Sequence, residues 1–189
     1  MGKNTTGNDV TLTINTEVQK AAESALSGRK GACVVLDSST GAVMAMASSP
    51  TYDVNDVEDI LGGTSSKYDS SAMYNRSTNL YAPGSTFKAL TLSAALQENA
   101  VTESDKFSAP GTLALGGGQI TNFKKNAYGN ITVARATEVS SNTVYAQIGE
   151  KLGATNLVRY AERYMFNKTI NFDIPVSASL MPNPDEMTL

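Results

Sequence analysis

From Ser48 to Leu80 the chain is rich in Ser, Asp, Asn and Gly, with weak helical character only around Val54 to Leu61. A stretch with so little apolar periodicity cannot build a core, so it predicts a long loop region on one face and leaves the folding to the residues on either side. Loops of that length usually carry a function. Upstream, the alternation of Val10, Leu12 and Ile14 predicts a short strand. Asn15 or Thr16 then caps a helix whose apolar face holds Val18, Ala21, Ala22, Ala25 and Leu26, with Gly28 as its stop. Ala32 to Leu36 and Ala42 to Ala47 are apolar runs joined by Asp37-Ser38-Ser39-Thr40-Gly41, the turn chemistry of a β-hairpin.

Downstream, Pro83 and Gly84 precede an unbroken helical stretch, Ser85 to Gln97, with Phe87, Leu90, Ala94 and Ala95 inward. Phe107 to Ile120 has strand and turn character, and its glycines Gly116 to Gly118 are no phosphate loop because no Gly-Lys-Ser/Thr follows. Thr132 to Val139 reads as a helix that breaks at Ser140-Ser141-Asn142 and resumes over Thr143 to Leu152 until Gly153; Asn156 to Met165 is another. The final Pro-Asp-Glu-Met-Thr-Leu reads as the opening of a further helix.

Composition narrows the chemistry. The chain has no histidine, which removes every Ser-His-Asp or Cys-His arrangement, and one cysteine with carboxylates makes a poor zinc site. No metal or other cofactor is expected. Cys33 excludes an intrachain disulfide and reads as a buried strand residue. A net charge of −3 with no run of Lys or Arg argues against nucleic acid as a partner. The apolar runs are far shorter than the ~20 residues a membrane span needs. Residues 1–8 lack the apolar centre of a signal peptide and are expected to be a disordered leader or an artificial boundary.

A serine at the start of a helix lies where free N–H groups and the helix dipole favour negative charge, and a residue three positions on shares its face. In Pro83-Gly84-Ser85-Thr86-Phe87-Lys88 that residue is a lysine, which burial and a positive field would turn into a general base. Taken alone the spacing also fits an N-cap serine and a solvated lysine, and Ser27-Gly28-Arg29-Lys30 repeats it at a helix end. Ser140 and Asn142 form a second constellation in the break between helices. A hydroxyl there could relay a proton, and the amide could bind a substrate amide. Ser77-Thr78-Asn79 has the same pattern, and a helix N-cap accounts for either copy taken in isolation.

In their order along the chain these segments resemble the transpeptidase domains of penicillin-binding proteins. The resemblance runs through Val10-Thr11-Leu12-Thr13-Ile14-Asn15 with Gln19, then Val35-Leu36-Asp37, Thr40-Gly41, Ala45-Met46-Ala47 and Pro50-Thr51-Tyr52-Asp53. It continues through Asn75-Arg76, Tyr81-Ala82-Pro83-Gly84-Ser85-Thr86-Phe87-Lys88, and Ile131-Thr132-Val133 leading to Ser140-Ser141-Asn142-Thr143. It implies an α+β penicillin-binding/β-lactamase-like fold, of which residues 9–189 supply the N-terminal strands of an antiparallel sheet and the mainly helical lobe. By position it implies Ser85 as the acylated nucleophile, Lys88 as its base, Ser140 as a proton relay and Asn142 as a substrate-binding amide.

The implied reaction is attack on the D-Ala-D-Ala bond of a peptidoglycan stem peptide and transfer of the acyl group to a neighbouring amine. Stem peptides and β-lactams are then the expected partners, and the cell envelope, with a membrane anchor outside this chain, the expected location. The family's third motif, Lys-Thr/Ser-Gly, is missing: Lys151-Leu152-Gly153 and Lys168-Thr169-Ile170 are the nearest strings. The chain alone is therefore expected to be inactive and to self-associate through an exposed strand edge of its hairpin. A serine β-lactamase-like hydrolase and a non-catalytic binding or structural relative are the rival readings. The former lacks a glutamate over Asn171 to Leu180, and Glu162 lacks the surrounding pattern.

Overall fold

Asn15 opens the first helix, α1 (Thr16–Leu26), its side-chain oxygen accepting from the N–H groups of Glu17 and Val18 at 3.0 and 3.1 Å. The computed structural model describes residues 7–187, which separate into two compact units at Asn79/Leu80. Six of the eight residues expected to form a leader lie outside the described residues, and Gly7 and Asn8 have no regular structure.

In the first unit, β1 (Gly31–Leu36) and β2 (Val43–Ser49) form an antiparallel hairpin, paired from Gly31 with Ser49 to Leu36 with Val43. The Asp37 carboxylate closes its turn by accepting from the Ser39 and Thr40 N–H groups and the Ser39 hydroxyl, which hold its pKa down. Gly41 supplies the left-handed residue at φ 76°. α1 lies against the hairpin through Ala22, Ala45 and Ala47, with Val18, Leu26, Val35 and Cys33 around them. Cys33 is half-buried, where full burial was expected.

The strand expected at Val10, Leu12 and Ile14 does not form, and Val10 and Leu12 stand 78% and 69% exposed. Alternation creates a strand only where another strand pairs with it. Here the edge of β2 is met differently: the Asn15 N–H donates to Met44 O at 2.9 Å. The Gln19 carboxamide takes both backbone groups of Met46, accepting from its N–H at 2.8 Å and donating to its carbonyl at 3.1 Å. A side-chain amide carries the same donor and acceptor as a peptide, so it ends the sheet as a strand would.

After β2 the loop region holds only α2 (Val57–Gly62) and 3-10 turns, in keeping with its composition. Buried Arg76 donates to the carbonyls of Ser71 and Tyr74, while its N–H donates to Ser48 Oγ and the Ser77 hydroxyl to Ala47 O. Serine side chains thus fasten the loop to β2.

The second unit is built on α3 (Phe87–Gln97), α5 (Asn142–Leu152) and α6 (Ala154–Arg163). Ala95, Val144 and Ile148 pack with Val101, Val133 and Ala136 in one cluster, and Leu90 and Ala94 with Leu152, Tyr160 and Ala161 in another. Burying a side chain such as Ile148 contributes about 1.5–3 kcal/mol. Four short strands accompany them: β3 (Lys106–Ala109) pairs with β6 (Gly129–Thr132), and β4 (Thr112–Leu115) with β5 (Gly118–Thr121). Thr132 caps α4 (Val133–Glu138) by accepting from the Arg135 N–H. The further helix expected at the end of the chain is a 3-10 turn, Pro184–Glu186, and residues 188–189 lie outside the described residues.

Replacing Gln19 by alanine strips Met46 of both partners and is expected to lower unfolding stability by about 1–2 kcal/mol. Urea denaturation checks it: an unchanged midpoint would mean that water replaces the amide at no cost.

Candidate active site

Gly84 adopts φ 57°, in the left-handed region that favours glycine, and this bend turns the chain into a 3-10 turn over Gly84–Thr86. The Thr86 hydroxyl donates back to Pro83 O at 2.6 Å. The α-helix expected from Ser85 therefore starts at Phe87, and Ser85 stands exposed in the lead-in turn. The three-residue spacing still brings the two side chains together: Lys88 Nζ is 3.2 Å from Ser85 Oγ.

The break between α4 and α5 has a specific geometry. The Ser140 N–H donates to Thr137 O and the Ser141 N–H to Ala136 O, the paired bonds of a Schellman helix end. The left-handed residue of that motif is usually glycine; here it is Ser140 at φ 52°. Ser141 at once caps the next helix, its hydroxyl accepting from the Val144 N–H. Only Val139, Ser140 and Ser141 separate the two helices, and this tight junction aims Ser140 and Asn142 at α3.

Lys88 Nζ lies 2.8 Å from Ser140 Oγ, 2.8 Å from Ser140 O and 2.6 Å from Asn142 Oδ1, and the Ser140 hydroxyl is 3.2 Å from Ser85 Oγ. All four residues singled out in the sequence meet at one nitrogen. An ammonium has three N–H bonds for these four oxygens, and Ser85 is the farthest. A neutral amine would turn its lone pair there and accept the hydroxyl proton.

Burial holds the lysine below its ordinary value of 10.5. Its oxygen partners are hydroxyl, carbonyl and amide groups, which offset the loss of water less fully than a carboxylate would. The Tyr145 ring, with its centroid 5.5 Å from Nζ, adds a face, and its hydroxyl pairs with that of Thr137 at 2.8 Å. Asn142 also donates from Nδ2 to Thr121 O at 2.8 Å, leaving one amide N–H for a ligand.

The look-alike segments have other duties. Ser27 is the C-cap of α1 and Lys30 is exposed, Ser77 binds Ala47 O, and the Asn79 amide donates to the Tyr74 hydroxyl. Lys151 pairs with Asp105 at 3.9 Å, and Lys168 is exposed. Tyr145 and Asn122, which supports the turn from below, carried no mark in the sequence; helical spacing from Asn142 was the signal for Tyr145. In the first unit a concavity of about 940 Å³ opens between Gln19, Glu23, Met46 and Asn75, and none of the four site residues lines it. Among the described residues no cluster of His, Cys, Asp or Glu could hold a metal.

This mixed helical and sheet fold sets a serine and a lysine one turn apart beside a Ser-Ser-Asn bend. Residues 31–187 match the penicillin binding protein transpeptidase domain, and the chain belongs to that family. It is similar to the D,D-transpeptidase domain of a peptidoglycan glycosyltransferase from Eggerthella lenta, with a TM-score of 0.90 and 49% identity over 95% of this chain and 43% of that one. It is also similar to the Mycobacterium tuberculosis penicillin-binding protein A in its ceftriaxone acyl-enzyme complex, with a TM-score of 0.75 and 32% identity over 82% of this chain and 39% of that one. Among curated proteins, the peptidoglycan D,D-transpeptidase MrdA of Escherichia coli strain K12 is 31% identical over 89% of this chain. The chain spans about 28% of that protein's length.

Lys88 should titrate below the ordinary lysine range. With lysine 13Cε labels, NMR is expected to show one resonance losing its proton at lower pH, absent in Lys88→Met. A full set of ordinary lysine titrations would contradict the burial argument.

Proposed function

We propose that the protein carrying this chain is a peptidoglycan D,D-transpeptidase working through a serine acyl-enzyme and acylated by β-lactams. The observation that carries the reading is the convergence of Ser85, Ser140 and Asn142 on Lys88 Nζ. The neutral Lys88 amine takes the Ser85 proton as Oγ attacks the carbonyl of the penultimate D-Ala. The C–N bond to the terminal D-Ala then breaks, and the Lys88 ammonium returns the proton to the leaving nitrogen through the Ser140 hydroxyl. An amine of a neighbouring stem peptide attacks the ester, the C–O bond breaks and Ser85 recovers its proton. A β-lactam enters the same path, with its ring C–N bond as the one broken. The remaining Asn142 N–H binds the substrate amide. We place the reaction outside the cytoplasmic membrane, with the protein anchored there. No described helix is long and apolar enough to cross a membrane.

The sequence contains no Lys-Thr/Ser-Gly, and the isolated chain is accordingly proposed to acylate slowly. Fluorescent penicillin followed by denaturing electrophoresis tests both statements. The full-length protein should label strongly and its Ser85→Ala variant not at all, with faint labelling of the isolated chain. Labelling that survives Ser85→Ala removes the nucleophile from this scheme, and strong labelling of the chain alone removes the need for a third motif.

The isolated chain is also proposed to self-associate through β1. Among the described residues β1 pairs only with β2, and Val34 and Leu36 are 43% and 55% exposed beside its open edge. Light scattering over a concentration series should show growth in mass that charged substitutions at Val34 and Leu36 suppress; a constant monomer mass would refute it.

A further inference from the structure

The groups that hold the Ser140–Asn142 turn are buried and polar, and they converge on one side chain. Asn122, 4% exposed, follows directly after β5. Its Nδ2 donates to the carbonyls of Pro110 at 3.1 Å and Asn126 at 2.9 Å. Its Oδ1 accepts from the Thr143 N–H at 3.1 Å and the Ser141 hydroxyl at 3.2 Å, with the Thr143 hydroxyl at 3.4 Å. Both N–H bonds and both lone pairs of the carboxamide are in use.

The backbone around Asn122 is clamped as well. Its N–H donates to Gly111 O and its carbonyl accepts from the Lys125 N–H. A Cβ placed on Gly111 would sit 2.1 Å from Lys125 O, so the 122–126 loop rests directly on the Pro110–Gly111 connection. Asn122 is the inner end of that contact.

Ser141 and Thr143 are fully buried and alternate with Ser140 and Asn142 along the chain. As Asn122 draws the first pair inward, the second pair is left to face Lys88, with Oγ at 2.8 Å and Oδ1 at 2.6 Å. Thr121, the residue before Asn122, fixes the other end of the Asn142 amide.

We infer that Asn122 is a positioning residue for acyl transfer: by gripping Ser141 and Thr143 it sets Ser140 Oγ and Asn142 Oδ1 on the Lys88 amine and so governs how fast Ser85 is acylated. This rests on the assignment of Ser85 and Lys88 proposed above. The competing view is a core asparagine that stabilises the unit and leaves the chemistry alone.

Stopped-flow acylation of the full-length protein by a fluorescent penicillin separates the bond-making rate constant from non-covalent binding. Asn122→Ala is expected to lower that rate constant by about 10–100-fold, the scale of a misplacement near 1 Å. In a Ser140→Ala/Asn142→Ala background the same change should cost less than about threefold, because the side chains it positions are gone. Ser141→Ala, which deletes the hydroxyl that Asn122 Oδ1 holds, should lower the rate constant roughly threefold by the same positional argument, and it decides the matter if Asn122→Ala does not fold. An equal factor in both backgrounds, or unchanged bond making in whichever of the two variants folds, overturns the inference. Labelling that persists in Ser85→Ala would instead sink the assignment beneath it, whatever Asn122 does.

Discussion

The Lys88 amine is bound by oxygens that lie 52 and 54 residues further along the chain, as well as by the serine one turn before it. A long flexible side chain reaches such a point only when the elements on both sides are fixed. α3 must be seated through Leu90, Ala94 and Ala95, and the α4–α5 junction through Val133, Ala136, Val144 and Ile148. The same burial that seats the lysine removes part of the water that would stabilise its charge. Packing and acid–base character are thus two results of one arrangement, and a loss of core volume near α3 reaches the chemistry through the lysine's surroundings.

Much of this was legible in the residues because the signals were local. Asn15, Gly41, Thr132, Ser141 and Gly153 sit at helix or turn boundaries for reasons each residue carries in its own side chain or backbone. The four proposed site residues stood out through their likeness to the family's motifs, since their spacings alone fit helix caps as well, and the fold brings them together at Lys88 Nζ. What escaped depended on distant partners. Val10, Leu12 and Ile14 alternate correctly and form no strand, while β6 shows little pattern and forms one because β3 is there to receive it. Asn122 is indistinguishable in sequence from a turn asparagine; its burial and its five hydrogen-bond partners come from segments up to 21 residues away.

Gln19 and Asn122 reveal a common device. Each uses a carboxamide where a peptide group would otherwise be needed, the first along the edge of β2 and the second between a loop and a helix N-terminus. Hydroxyls of Ser48, Ser77 and Thr143 do similar work on the backbone of Arg76, Ala47 and Pro110. With only 17% charged residues, the chain meets much of its buried backbone with neutral groups, Arg76 being a charged exception. That choice also keeps carboxylates away from Lys88, where a negative neighbour would hold the proton on.

Ser140 occupies a backbone region that costs a side-chain-bearing residue roughly 1–2 kcal/mol. Any programme of thermostabilisation guided by torsion angles would put glycine there first, and the relaxed turn would arrive without the oxygen that Lys88 and Ser85 share. On the proposed role of Ser140 as a proton relay, heat resistance and reactivity pull this single site in opposite directions.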